Sequence, residues 1–210
     1  LECERRRMTT YQTAGRENYV FIDFSLYEDE NRPERFIDPS PFVPQDEESR
    51  NRRCEEILSI QAMGLKKRLK HTGCRSAVIG ISGGLDSTLA LLVTVRAFDL
   101  LGLARDKIIC VTMPCFGTTD RTYHNACYLT KKLGASLLEV DIKDAVANHF
   151  RDIGHDSSVH DVTYENSQAR ERTQVLMDIA NKYNGMVIGT GDMSELALGW
   201  ATYNGDHMSM

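Results

Sequence analysis

The apolar positions of this chain change rhythm near residue 75. Beyond it, short runs rich in Val and Ile alternate with longer segments whose apolar residues recur every three or four positions. The first pattern belongs to strands buried on both faces and the second to amphipathic helices. The pattern predicts strand 76–82 feeding helix 86–101, strand 107–113 feeding helix 119–133, and strand 136–141 feeding helix 142–150. A long helix at 165–183 and a strand at 185–190 follow. Ahead of these, Asp46, Glu47 and Glu48 open a helix with acids suited to the positive end of its dipole. Leu58, Ala62, Leu65 and Leu69 give that helix one apolar stripe, and Gly73 ends it after a basic last turn. The alternation implies an α/β fold, a doubly wound parallel sheet with helices on both faces. Such sheets bind ligands at the carboxyl ends of their strands, at the topological switch point. Ser82, Pro114 and Thr190 stand at such ends.

Residues 1–45 follow a different plan. Of the first 75 residues 28 are charged, against 27 of the remaining 135, so a boundary lies in the first third. Prolines at 33, 39, 41 and 44 mark an extended linker, because proline fixes φ and lacks an N–H for regular pairing. Before it, residues 19–24 (Tyr-Val-Phe-Ile-Asp-Phe) read as one strand, which cannot stand without a partner. Residues 1–45 are therefore expected to be the tail of a preceding domain plus its linker, and 46–210 a second domain cut short at its C-terminus.

Composition narrows the partners. A net charge of -5 and a pI near 5.7 argue against nucleic acid, whose backbone demands a basic surface. The apolar run at 89–93 is far too short to span a bilayer, and the N-terminus has no secretory pattern. The expected location is cytoplasmic. Six cysteines without a C-x-x-C pair read as reduced thiols. His155-Asp156 and His160-Asp161 read as a surface loop rather than a metal site, since no fixed geometry joins them.

The richest chemistry lies at 77–88, Ala-Val-Ile-Gly-Ile-Ser-Gly-Gly-Leu-Asp-Ser-Thr. A buried strand, a tight turn and a helix start in that order aim backbone N–H groups at one point, backed by the helix dipole. That is a phosphate or pyrophosphate site. Gly83 and Gly84 permit close approach, Ser82 and Ser87 add hydroxyl donors, and Asp86 calls for a divalent cation among anions. The loop lacks the Lys of a G-x-x-x-x-G-K-[ST] site and the third Gly of a dinucleotide fingerprint. Two further segments carry polar residues. In 164–173 (Tyr-Glu-Asn-Ser-Gln-Ala-Arg-Glu-Arg-Thr), Asn166 and Arg170 share one helix face, and Gln168 and Arg172 form a second i,i+4 pair. Residues 189–206 run from a strand end through a short helix into a Gly-containing loop that carries the chain's only Trp.

The Ser-Gly-Gly-x-Asp-Ser loop resembles the pyrophosphate loop of N-type ATP pyrophosphatases. With the Asn166–Arg170 and Thr190–Tyr203 segments, residues 40–210 resemble the synthetase domain of NAD synthetase, in its glutamine-dependent, two-domain branch. The resemblance implies that ATP adenylates the nicotinate carboxylate of nicotinic acid adenine dinucleotide (deamido-NAD) and releases pyrophosphate. Ammonia, drawn from glutamine, then displaces AMP to give NAD. It implies an ATP site formed by Gly80, Ile81, Ser82, Gly83, Gly84, Leu85, Asp86, Ser87 and Thr190. Asn166, Arg170, Glu195, Trp200, Ala201, Thr202 and Tyr203 would bind deamido-NAD, and Asp86 and Glu195 would hold Mg²⁺ and act as the catalytic pair. The ammonia-dependent branch has Lys where Tyr203 stands, so the two-domain pattern is the guide there. The resemblance further implies a nitrilase-like glutaminase domain ahead of residue 45, a homo-oligomer, and basic residues past Met210 without which the 210 residues are inactive. Two other readings stand beside it: another member of the superfamily acting on a different carboxylate or oxo substrate, and a non-catalytic adenine-nucleotide-binding module.

Overall fold

The computed structural model describes residues 20, 22–25, 36, 37, 39, 40, 42–116 and 120–199. It divides the chain into two units, Leu1–Val43 and Pro44–Met210. In the first unit the expected strand at 19–24 does not form at its described residues. Val20, Ile22 and Phe24 are exposed, and no described segment pairs with them. An extended segment gains its stability from a ladder partner, and this one has none among the described residues.

The second unit opens with α1 (Glu47–Thr72). The Asp46 carboxylate accepts the Ser49 N–H at 2.8 Å, and Gly73, at φ 72°, turns the chain out of the helix. Ala62 and Leu69 of the expected stripe are fully buried, with Leu65 packed beside them. Four strands follow: β1 (Ser76–Gly80), β2 (Ile108–Thr112), β3 (Ser136–Glu139) and β4 (Gly185–Val187). They form one parallel sheet in the order β3-β2-β1-β4, with Val78 paired to Ile109 on one side and to Val187 on the other.

The helices between them are α2 (Leu85–Leu101), α3 (Asp120–Leu133), α4 (Lys143–Ile153) and α5 (Val162–Lys182), with a short α6 (Met193–Leu198) after β4. Alternate residues of each strand serve opposite cores, as the period of two requires. Ala77, Ile79 and Cys110 join Leu69, Leu91 and Phe98 on the face covered by α1 and α2. Val78, Ile109, Val111 and Val187 join Ala180 and Leu176 on the face covered by α5. β1 is thus left towards β2 over one face, and β4 is reached over the other. The order reverses at β1, and that reversal opens a crevice between the ends of β1 and β4.

Element boundaries depart from expectation at the functional end. The strands stop two to three residues early, at Gly80, Glu139 and Val187. The ladder still continues for one bond past each, as with Ile81 N–H to Val111 O at 2.9 Å and Ile188 N–H to Val78 O at 2.9 Å. α5 begins at Val162 rather than 165, because the Asp161 carboxylate caps it, accepting from Thr163 N–H at 2.8 Å and Tyr164 N–H at 3.0 Å. α4 runs to Ile153, where Gly154 at φ 70° ends it. Among the described residues no helix is long and apolar enough to cross a membrane.

Candidate active site

The turn after β1 is held from within. The buried Ser87 hydroxyl donates to Gly84 O at 3.2 Å and accepts the Ser82 N–H at 3.3 Å. Ser82 Oγ accepts the Gly84 N–H at 3.2 Å and lies 3.1 Å from Ser87 Oγ. Ser87 therefore braces the loop, where the sequence suggested a hydroxyl aimed at the ligand. α2 starts at Gly84 with no side-chain cap, so the N–H groups of its first turn are left for an anion. Gly83 sits at φ 81° with its α-carbon packed against the backbone of Thr122 in α3. Gly84 keeps an ordinary φ of -82°.

This loop forms one wall of a cleft of about 740 Å³ at the carboxyl ends of the strands. Gly80, Ile81, Ser82, Gly84, Asp86 and Ser87 line it, and Thr190 and Glu195 line it from the β4 side. The fold thereby brings together the two segments that the sequence singled out 100 residues apart. Gly83 and the exposed Leu85 face away, into a second groove behind the loop with Arg121 and Tyr128. Asn166 and Arg170 lie on α5 outside the cleft lining, Asn166 half-buried and Arg170 exposed. Trp200, Ala201, Thr202 and Tyr203 lie outside the described residues.

It is the second pair on α5 that faces the cleft. Tyr164, Gln168, Arg172 and Leu176, one turn apart each, line it together. The Leu176 methyl stands 3.1 Å from where a Cβ on Gly80 would be, so α5 rests directly on the end of β1. His160 stacks on Tyr164 with ring centroids 4.3 Å apart, and Phe150 stacks on its far side at 5.6 Å. The floor comes from the end of β2 and the segment after it, through Thr112, Met113 and Phe116, and from the first turn of α3. Gln168 and Arg172 were singled out in the sequence as a pair but given no role, and Tyr164, Leu176, Met113 and Phe116 were not assigned to the site. The stripe 164-168-172-176 was the available signal, because its apolar end marks it as the side that packs on the sheet.

The electrostatics favour an anionic ligand beside an ordered carboxylate. Glu195 is fixed by a capping box: its Oε2 accepts the Asp192 N–H at 2.9 Å, and Asp192 Oδ1 accepts the Glu195 N–H at 2.8 Å. Asp86, in the first turn of α2, lines the cleft and is exposed. A hard cation such as Mg²⁺ takes oxygen ligands and keeps waters and phosphate oxygens alongside one or two carboxylates. Asp86, with Glu195 across the cleft, fits that donor set. Among the described residues no group of three or more His, Cys, Asp or Glu converges. A cation here would be shared with phosphate rather than caged by protein. His155 is occupied elsewhere, with Nε2 3.2 Å from Val159 O and 3.7 Å from Asp161 Oδ1. The Asp161 carboxyl is held below its ordinary range, chiefly by the N–H of Tyr164.

The sequence model of the family described as NAD synthase matches residues 57–209. The chain is 42% identical over 222 residues to the glutamine-dependent NAD(+) synthetase of Mycobacterium leprae, covering 100% of this chain and 33% of that protein. It is 36% identical over 154 residues to the protein of the same name from Rhodobacter capsulatus, covering 72% and 27%. The chain thus spans about a third of the length of the curated relatives it matches. Among solved structures, the glutamine-dependent NAD+ synthetase of Acinetobacter baumannii in complex with ADP is similar with a TM-score of 0.68 at 29% identity, over 74% of this chain and 29% of that one. The NMN synthetase of Francisella tularensis is similar with a TM-score of 0.66 at 25% identity, over 74% and 62%. A nucleotide-sized cleft at the switch point, walled by an uncapped helix start, and a family match across most of the second unit lead to one assignment: this chain belongs to the NAD synthase family.

Proposed function

We propose that residues 46–210 are the synthetase part of a glutamine-dependent enzyme that amidates deamido-NAD to NAD at the expense of ATP. The observation that carries this reading is the uncapped start of α2 opening into the same cleft as Thr190 and Glu195. In the first step a nicotinate carboxylate oxygen bonds to the α-phosphorus of ATP, and the bond from that phosphorus to the bridging oxygen of pyrophosphate breaks. The carboxylate is already ionised at neutral pH, so no base is required. What the step requires is in-line positioning and stabilisation of the departing charge. The first-turn N–H groups of α2 meet that charge, and Asp86 and Glu195 would hold Mg²⁺, which adds positive charge to the leaving pyrophosphate. In the second step ammonia nitrogen bonds to the acyl carbon, the bond to the AMP oxygen breaks, and ammonia gives up a proton.

Gly80, Ile81, Ser82, Gly84, Ser87 and Thr190 are the proposed ATP contacts, with Gly83 and Leu85 shaping the loop from behind. Arg172 faces the cleft as a guanidinium suited to phosphate. Asn166, Arg170 and residues 200–203 are proposed for the far parts of the dinucleotide. Residues 1–45 are proposed as the tail of a glutaminase domain of the same polypeptide, which supplies the ammonia, plus the linker, and the assembly as a homo-oligomer in the cytoplasm.

The test is to incubate the intact protein with ATP, Mg²⁺, ammonia and deamido-NAD and to follow AMP, pyrophosphate and NAD. Equimolar formation of all three is expected. Pyrophosphate without NAD, or no turnover at all, would reject the reading. Nicotinate mononucleotide added as a competitor checks the substrate, and preference for it would redirect the assignment to a mononucleotide.

A further inference from the structure

The first turn of α3 enters the cleft, and two contacts in opposite directions decide where it sits. On one side the Thr122 backbone abuts Gly83, so closely that a Cβ there would lie 2.0 Å from Thr122 O and 2.8 Å from Thr122 C. On the other side the next residue, Tyr123, donates its phenol O–H to Glu139 Oε2 at 2.5 Å. Glu139 is the last residue of β3, which among the described residues pairs with β2 alone and forms one edge of the sheet. The bond therefore ties a helix start to the sheet edge across 16 residues. The hydrogen bond to Glu139, helped by Cys127, also pushes the phenol pKa up. Tyr123 itself lines the cleft.

We infer that Tyr123 is a positioning residue: its bond to Glu139 holds the first turn of α3 against Gly83 and so sets the width of the loop that receives the departing pyrophosphate. This rests on the function proposed above. The contact between Gly83 and Thr122 is a packing contact, and it keeps the loop in place only while α3 itself is fixed. Anion-binding N–H groups act through preorganisation, and a support displaced by a fraction of an ångström spreads their directions. The backbone of Gly83 can follow α3 outward, since no side chain stands between them.

The experiment uses the intact protein and four variants, Tyr123→Phe, Glu139→Gln, Glu139→Ala and the double variant Tyr123→Phe/Glu139→Ala. Mg·ADP affinity, steady-state constants, melting temperature and amide exchange of the nucleotide-free protein are measured. Tyr123→Phe is expected to weaken Mg·ADP and raise KM for ATP about five- to tenfold, the span that one lost hydrogen bond allows. KM for deamido-NAD and the melting temperature should stay put. Glu139→Gln still offers the phenol an acceptor and should keep near-normal affinity. Glu139→Ala should reproduce Tyr123→Phe, and the double variant should add nothing. Exchange of the Ser82 and Thr88 amides should quicken in Tyr123→Phe. Unchanged affinity, additive effects, or exchange confined to α3 would overturn the inference. Failure of the wild type to bind Mg·ADP would reject the proposed function instead, and the exchange data would still decide whether Tyr123 governs the loop.

Discussion

The carbonyl oxygen of Thr122 stands 2.0 Å from the point a Cβ on Gly83 would occupy, and Gly83 holds φ 81°. Both facts forbid a side chain there. Gly83→Ala should therefore cost on the order of 2 kcal/mol or more in stability and abolish ATP-dependent turnover. Gly80→Ala is the control: its Cβ would meet the movable ends of Leu176 at 3.1 Å and Met113 at 3.6 Å, and no backbone. That variant should lose less than about 1.5 kcal/mol. Thermal unfolding and pyrophosphate release measured on both variants check the contrast.

Ser87 serves the loop from below. Ser87→Ala removes the acceptor of the Ser82 N–H and the donor to Gly84 O in a site that is 3% exposed. The expected loss is about 1–3 kcal/mol, with a raised KM for ATP. Ser87→Thr keeps the hydroxyl and should recover most of the affinity. Chemical denaturation together with nucleotide titration measures both.

Asp86 and Arg172 face the cleft from opposite walls and neither packs in the core. Asp86→Asn and Arg172→Ala should each leave the melting temperature close to wild type. Asp86→Asn is expected to lower kcat at least about 100-fold, and added Mg²⁺ should not rescue it. Arg172→Ala should lower kcat/KM about tenfold or more, as expected for a charge-assisted contact. A melting temperature that falls with activity would mean the residues support the fold instead.

Asp161 caps α5 and its carboxyl is held low, first by the Tyr164 N–H. A depressed carboxyl contributes stability that is present above its unfolded pKa and lost as pH falls through the folded value. Asp161→Ala should thus lower the melting temperature by roughly 2–4 °C at pH 7. The gap should persist to about pH 5 and begin to shrink below about pH 4, the ordinary aspartate value, as pH falls towards the lower value of the folded state. Scanning calorimetry across pH 3–7 tests this. Because Tyr164 sits in the capped turn, its stack with His160 should loosen in the same variant, which proton NMR of the His160 ring reports.

The positions of the strands, of the Ser82–Ser87 loop and of the Thr190–Glu195 segment were legible in the sequence, because each depends on neighbours in the chain. Val and Ile runs, an Asp before a helix and a Gly after it act locally. So does Ser-Gly-Gly-x-Asp-Ser, whose serines and glycines bond within six residues of one another. The strand ends were read too long because Ile81, Val140 and Ile188 look like strand residues, yet each makes only one further ladder bond before the chain turns.

Rotation of α5 was another matter. Asn166–Arg170 and Gln168–Arg172 are equally good i,i+4 pairs as polar residues, and only the Leu176 that continues the second stripe separates them. The helix turned Gln168 and Arg172 inward because Leu176, on the same stripe, fits over Gly80, where a strand residue lacks a side chain. The chain order by itself thus determined a parallel sheet with a glycine-rich turn into an uncapped helix start after its first strand. Which side of α5 closes the cleft, and how α3 braces Gly83, were decided only when helices met the sheet. Those choices depend on side-chain volumes that come together from segments up to 100 residues apart.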